Sequence, residues 1–198
     1  MKRRLSIMLL LILVLSVGLS AEPFYDKGSQ TFSFTLGTTV PTFVHFFSNN
    51  ETRVGLGVDN TGMKIGGYGA ISYQAFTSPY SAIGGEIGYN FNYVVDGNLY
   101  TAVPFFFKYS YLPVQGMIDL PISVGLGFVY NSGGANTSIM TLYSNLELGL
   151  TYYPGEHWGI GVRTGLWLIP ELNYRKELFG DNAIAGFVPI TLTVSYRQ

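Results

Sequence analysis

Residues 83–93 read IGGEIGYNFNY, and they alternate strictly between two kinds of side chain. The odd positions, from Ile83 to Tyr93, carry apolar or aromatic residues or glycine, whereas the even positions carry small or polar residues. Because successive side chains of a β-strand point to opposite faces, this period of two predicts a strand with one oily and one polar face. The fold then depends on which face meets the solvent, since a soluble barrel hides its oily face and a membrane barrel turns it toward lipid.

The same alternation recurs in seven further stretches, which predicts eight strands in total. These stretches are residues 31–39, 63–76, 99–111, 118–130, 140–153, 158–168 and 184–196. Their connections alternate between short turns and mostly longer loops, with the short DGN at 96–98 as the exception. Short turns at one end and longer loops at the other are typical of outer-membrane barrels. The predicted fold class is therefore all-β, an eight-stranded antiparallel transmembrane barrel with up-and-down order.

Two details of this strand assignment remain open at the level of sequence. Residues 52–58 could form a further strand, but the even strand number of bacterial single-chain barrels favours a hairpin extension of the first surface loop. Pro104, Pro121 and Pro189 fall inside predicted strands, where each removes a ladder hydrogen bond. We therefore expect bulges or local gaps at the three prolines.

The first 21 residues have the pattern of a secretory signal peptide. Basic residues at 2–4 precede an apolar run from Leu5 to Leu19, and small residues follow up to Ala21, where we expect cleavage. An uncleaved membrane anchor is the alternative, although the run is shorter than the roughly 20 residues of a spanning helix. Residues 22–198 then form the barrel, which we expect to be exported through the Sec pathway.

The composition of the mature chain excludes several classes of function. Cleavage removes three of the 11 basic residues and none of the 12 acidic ones, which leaves a net charge of −4 and no basic patch for nucleic acid. The chain has no cysteine, so neither a disulfide nor a cysteine metal site can form. No second long apolar helix is present, so a membrane form would have to cross with strands. We expect no cofactor and no metal.

The oily face predicts two aromatic girdles at the membrane interfaces. Its middle carries bulky aliphatic and phenylalanine side chains, while aromatic residues with a polar edge collect at the strand ends. Such rings prefer the headgroup level of a bilayer. The predicted girdle residues are Tyr73, Tyr111, Tyr152, Trp158 and Tyr196 at the short-turn end, and Tyr93 and Tyr130 at the loop end.

The polar face carries one charge on each of five consecutive strands. The five residues are Glu86, Lys108, Asp119, Glu147 and Arg163. A three-residue turn at 154–156 would place Glu147 opposite Arg163, and one at 96–98 would place Glu86 opposite Lys108. A turn centred on Pro113 and Val114 would place Lys108 opposite Asp119. These registers predict a salt-bridge network that fills the lumen, since an unpaired buried charge costs several kcal/mol; the alternative is hydrated side chains in a wet lumen.

The mature chain resembles the small eight-stranded outer-membrane barrels, the group that includes OmpA, OmpX and OmpW. The closest local resemblance is LTYYPGEHWGIGVRTGLW at 150–167, with an aromatic strand end, a short turn and an alternating strand. The last strand, FVPITLTVSYRQ, is similar to the C-terminal signal read by the barrel assembly machinery, but Arg197 and Gln198 follow its aromatic residue. No peptidoglycan-binding domain of the OmpA-like kind is expected, because the chain ends with the barrel.

The resemblance implies an outer-membrane location with both termini in the periplasm. It implies the lipid bilayer, periplasmic chaperones and the assembly machinery as partners. The leading expectation is a porin-like or structural surface protein with a plugged polar lumen, with OmpW-like passive transfer of small molecules as a variant. The competing expectation is an adhesin or ligand-binding barrel that acts through loops 40–62, 131–138 and 169–183. An outer-membrane lipid-modifying enzyme is a remote third, for which His45 and a loop carboxylate such as Asp96 would supply the site; His157 is expected to be an interfacial anchor, and we do not expect an enzyme.

Overall fold

The predicted alternating stretches form long strands that pair in sequence order and close into one antiparallel barrel. The computed structural model describes residues 23–56, 61–94, 97–133, 137–171 and 182–198. Within those residues the strands are β1 Gln30–Phe46, β2 Glu51–Val54, β3 Gly66–Ser78, β4 Ser81–Tyr93, β5 Leu99–Tyr111, β6 Ile118–Asp119, β7 Ile122–Gly133, β8 Thr137–Tyr152, β9 Trp158–Glu171 and β10 Ala183–Arg197.

The eight long strands form the wall, and pairing between β1 and β10 closes it. The eight-stranded antiparallel barrel predicted from the sequence is therefore confirmed. Among the described residues, no helix has the length and apolar character needed to cross a membrane.

Both ends of the described chain lie at the same end of the barrel, where Gln30 and Gln198 exchange two backbone hydrogen bonds of 2.8 and 3.0 Å. We call this end, which also holds the β3–β4, β5–β7 and β8–β9 connections, the turn end. The opposite end is the loop end. Residues 1–21, with the predicted signal peptide, lie outside the described residues, as do Asp96 and parts of the three predicted surface loops.

The two faces of the wall separate as the alternation predicts. On β4, the side chains of Ile83, Ile87 and Tyr89 are exposed on the outside, whereas Glu86 and Asn90 are buried inside. The same division holds on the other long strands, where the outward positions are mostly Leu, Ile, Val, Phe and Tyr. The exterior of the barrel is therefore its oily face.

Each of the three prolines that were expected to disturb a strand interrupts a ladder. The predicted strand 118–130 divides into β6 and β7 at Pro121, although both halves pair with β8 in one register. The β4–β5 pairing lapses beside Pro104, and the β9–β10 pairing lapses beside Pro189. Proline has no N–H to donate, so the ladder resumes only after the neighbouring residues.

The first strand contains a bulge that reverses its faces. The β1–β10 register shifts by one residue between Pro41 and Phe43. Thr39, on the turn-end side of the bulge, points into the lumen, and so does Val44 on its loop-end side. Strand β2 pairs only with the loop-end part of β1, as expected of a hairpin extension. Residues 57 and 58 of the suggested stretch 52–58 lie outside the described residues.

Candidate functional site

Four of the five predicted lumen charges meet at the centre of the barrel. We call Glu86, Lys108, Glu147 and Arg163 the ionic quartet. Lys108 Nζ lies 3.0 Å from Oε2 of both Glu86 and Glu147. Arg163 Nη1 lies 2.9 Å from Glu86 Oε2 and 3.5 Å from Glu147 Oε2. Each cation thus contacts both carboxylates, and the formal charges of the quartet cancel.

Neighbouring side chains use the remaining hydrogen-bonding positions of the quartet. Tyr68 donates its hydroxyl to Glu86 Oε1 at 2.8 Å, and Trp167 donates Nε1–H to Glu147 Oε1 at 3.0 Å. Arg163 donates from Nε to Thr193 Oγ1 at 3.1 Å and from Nη2 to Thr35 Oγ1. A buried ion pair is tolerated when its spare donors and acceptors are satisfied in this way.

The backbone registers proposed for these pairs were wrong. Glu86 lies opposite Phe106 and Lys108 opposite Gly84, while Glu147 lies opposite Gly165. Each true register differs by two residues from the predicted one, which keeps every side chain on its face. The pairs form because the long Lys and Arg side chains reach diagonally along the wall.

Asp119 does not belong to the quartet, so this part of the predicted charge ladder was wrong. The β5–β7 connection runs from Leu112 to Pro121 and is not a tight turn, and Lys108 lies opposite Gly125. Asp119 lies at the turn end, where Oδ2 accepts a hydrogen bond from the Tyr25 hydroxyl and Oδ1 lies 3.8 Å from Arg197 Nη1.

Above the quartet, toward the loop end, the lumen is filled by large apolar and aromatic side chains. We call this set the aromatic tier; its largest members are Tyr68, Tyr100, Phe106, Tyr143, Trp167 and Phe187, all buried. The predicted polar lumen was wrong for this half of the barrel. The sequence contained a signal for these rings, because the alternation of each strand already assigns Phe106, Tyr143 and Trp167 to its inward face.

Below the quartet, toward the turn end, the lumen is lined by hydroxyl groups. Ser33 and Ser195 share a hydrogen bond of 2.8 Å, and Ser110 and Ser123 share one of 2.7 Å. Tyr25 then closes the turn end, with only 2% of its surface exposed. Burial, followed by the charge of the Asp119 carboxylate, raises the pKa of the Tyr25 phenol above its ordinary value. The phenol therefore stays neutral and can donate a hydrogen bond to Asp119.

The predicted girdle residues all occupy outward positions, and all except Tyr73 lie near the ends of their strands. Tyr73, Tyr93, Tyr130, Tyr152 and Trp158 are exposed, whereas Tyr111 and Tyr196 are half-buried. Tyr196 packs against Trp158, with ring centroids 5.1 Å apart.

The two histidines lie at opposite ends of the barrel. His45 Nδ1 lies 2.8 Å from Thr52 Oγ1 on the β2 hairpin, and its ring contacts that of Phe47. His157 Nδ1 lies 3.0 Å from the carbonyl oxygen of Arg197. Among the described residues, no group of three His, Asp or Glu side chains could hold a metal ion.

Comparison with known proteins gives one family and several barrels of similar fold. A protein-family model matches residues 19–196. A Borreliella burgdorferi protein described as "Uncharacterized protein" is 23% identical over 98% of this chain and 97% of its own length. The crystal structure of Neisserial surface protein A aligns with 84% of this chain and 96% of its own, with a TM-score of 0.56 and a sequence identity of 10%. Ail, the attachment invasion locus protein of Yersinia pestis, is 12% identical over 87% of this chain and 99% of that one, with a TM-score of 0.45.

Proposed function

We propose that this chain, which has the fold of the small eight-stranded outer-membrane β-barrels, is a closed structural barrel of the outer membrane that presents surface loops and does not conduct. The observation that carries the proposal is the lumen itself. The ionic quartet lies across its middle, and Phe106 and Trp167 of the aromatic tier fill it toward the loop end. A barrel of eight strands has an interior only wide enough for side chains.

We propose that the precursor is exported through the Sec pathway and cleaved after Ala21. The barrel would then be passed by periplasmic chaperones to the assembly machinery, with its turn end and both termini in the periplasm. The girdle residues would anchor it at the two interfaces, since rings with one polar edge favour the headgroup level. The fold similarity to Neisserial surface protein A supports a barrel that presents its loops at the cell surface.

A porin-like role would need a continuous water path through the lumen, and the buried side chains of the ionic quartet and the aromatic tier argue against one. OmpW-like transfer of small hydrophobic molecules would have to pass the aromatic tier. An enzymatic role would need a carboxylate beside His45, and this role has less support because the contacts described for His45 are with Thr52 and Phe47. Asp96 lies outside the described residues.

A ligand-binding role at the loop end is the second candidate, and the β2 hairpin favours it. Phe47, Val54 and Leu56 are exposed there on and beside a hairpin that continues past the start of β3. This role would add to the closed barrel, because the loops can bind a partner while the lumen stays shut.

Planar-bilayer conductance tests the closed lumen. We expect the wild-type protein to be silent and the double variant Arg163→Glu/Trp167→Ala to show single-channel steps. The first change places a third carboxylate beside Glu86 and Glu147, and the second removes the largest ring of the aromatic tier. A difference in migration on an SDS gel between the unheated and the heated samples of the variant verifies that it is folded.

Trp158→Ala is the matched control, because it removes the other tryptophan from the oily exterior and should stay silent. Wild-type channel steps would refute the closed barrel. A folded double variant without conductance would show that the quartet and the aromatic tier are not the barrier.

A further inference from the structure

We propose that residues 23–29 form a cap over the turn end of the lumen and that Arg197 holds this cap in place. Release of the cap would open a small chamber between the cap and the ionic quartet, while the quartet still blocks the barrel. We call residues 23–29 the cap. They precede β1 and belong to none of the paired strands. Phe24, Asp26 and Lys27 are exposed, whereas Tyr25 is buried, so the cap enters the barrel through one side chain.

Tyr25 is the part of the cap that enters the lumen. Its ring stacks on that of Phe76 with centroids 4.0 Å apart and packs with Ala82 and Leu112 in a small apolar cluster. Its hydroxyl donates to Asp119 Oδ2, inside the mouth. Tyr25 therefore combines an apolar fit at the rim with a polar contact at its tip, which is the arrangement expected of a buried tyrosine.

Arg197 holds the cap from the last strand. Its guanidinium lies between two rings, 3.9 Å from the centroid of Phe24 and 3.7 Å from that of Tyr153. Nη1 donates to the carbonyl oxygen of Gly116 at 2.7 Å and to the Tyr25 hydroxyl oxygen at 3.3 Å. The residue that departs from the usual aromatic C-terminus thus ties β10 to the cap and to the β5–β7 connection.

The cap's polar anchors are few. Gln115 Oε1 accepts from the backbone N–H groups of Phe24 and Tyr25 at 3.1 and 3.4 Å. Near the start of β1, the backbone of Gly28 and Ser29 exchanges hydrogen bonds of 2.8 Å with Phe76. A segment held by side chains and a few backbone hydrogen bonds can open locally without unfolding the wall, since local opening needs less free energy than global unfolding.

A cavity of about 60 Å³ lies between the cap and the quartet. Tyr25 and Asp119 line its turn end, Arg163 lines its inner end, and the hydroxyl-bearing residues Thr31, Ser33, Thr151, Thr193 and Ser195 line its wall. One buried water needs about 10–15 Å³ and several polar partners, so the chamber can hold a small number of waters. Release of Tyr25 would connect it to the solvent at the turn end.

Thiol labelling tests the cap, because the chain contains no cysteine and a single introduced one reports its own surroundings. Ser195→Cys places the thiol on the chamber wall. A small cationic methanethiosulfonate reagent should label it at least tenfold faster when Tyr25→Ala or Arg197→Ala is added. Lys27→Ala, in the exposed part of the cap, should leave the rate unchanged.

Two further single cysteines separate local opening from general loosening. Gly155→Cys, in the exposed β8–β9 turn, should react quickly with or without the cap variants. Thr141→Cys, buried on the loop side of the quartet, should stay slow in both. Should Tyr25→Ala or Arg197→Ala fail to fold, Tyr25→Phe and Arg197→Lys make the same test with milder changes and a smaller expected acceleration.

Equal labelling of Ser195→Cys with and without the cap variants would overturn the proposal, as would labelling as fast as Gly155→Cys when the cap is intact. The cap and the closed barrel can fail separately. Cap variants that label quickly and stay silent in a planar bilayer agree with both. Cap variants that label quickly and also conduct support the cap but contradict a barrier at the quartet.

Discussion

At the scale of single residues, Glu86 is the centre of the ionic quartet. One of its carboxylate oxygens accepts from Lys108 and Arg163, and the other accepts from Tyr68. Its side chain is fully buried. Such a carboxylate stabilises the fold mainly because the two cations beside it cannot reach water.

Glu86→Gln tests this dependence. The change leaves one excess positive charge among buried groups, and we expect it to lower the free energy of unfolding by about 3–5 kcal/mol. Urea unfolding of the barrel in detergent micelles, followed by tryptophan fluorescence, measures the loss.

The matched control is Glu51→Gln, which breaks the exposed 2.8 Å ion pair with Arg53 on the β2 hairpin. Exposed pairs contribute little, since water and salt screen them. Equal midpoints for the two variants would contradict a stabilising role of the quartet.

At the scale of elements, neighbouring strands approach so closely at some inward glycines that a side chain has no room. A Cβ at Gly84 on β4 would overlap the backbone carbonyl oxygen of Tyr73 on β3. The obstacle is backbone, so it cannot be relieved by a rotamer change. The glycine is needed there for its missing side chain.

Gly84→Ala should therefore push β3 and β4 apart and lower the free energy of unfolding by about 1–3 kcal/mol, the usual cost of overpacking. The same urea titration measures it. Gly155→Ala adds the same methyl group in open space at the β8–β9 turn and should leave the midpoint unchanged. A Gly84→Ala midpoint as high as that of Gly155→Ala would mean that the strands adjust without cost.

With β6 and β7 taken as one strand, the bounds of seven long strands were predictable to within three residues, whereas β1 continues to Phe46, seven residues past its predicted end. The order of the strands was predictable, and their register was not. The bounds 99–111 matched β5 fully, because a long alternating run leaves one assignment. The partners of Glu86 and Lys108 were displaced by two residues, because such a slip preserves both faces. Local gaps at Pro104, Pro121 and Pro189 were predictable, since a missing N–H acts at its own position.

At the scale of the whole molecule, the two tryptophans lie on opposite faces of the wall. Trp158 is 58% exposed on the outside, and Trp167 is 1% exposed in the lumen. The barrel thus carries one fluorescent reporter for each environment.

Two single-tryptophan variants use these reporters. In bilayers of brominated lipid, Trp158 in the Trp167→Phe variant should be strongly quenched. Trp167 in the Trp158→Phe variant should be quenched weakly by brominated lipid and weakly by acrylamide in the water. Strong acrylamide quenching of Trp167 would mean a wet lumen, and weak lipid quenching of Trp158 would place the oily face elsewhere.

The alternation of residue types is enough to predict eight strands, the side chains that lie outside and the charges that lie inside, because a period of two is a local property of each strand. Three features follow from the folded barrel alone: Asp119 contacts Tyr25 and Arg197 and not the quartet, aromatic side chains fill the loop half of the lumen, and Tyr25 of the cap covers the other end. These contacts join residues far apart in the chain, and they depend on strand register and on a segment with no repeating pattern. Whether such contacts form depends on how far each side chain reaches across the lumen of the closed barrel, and no local sequence pattern specifies that distance.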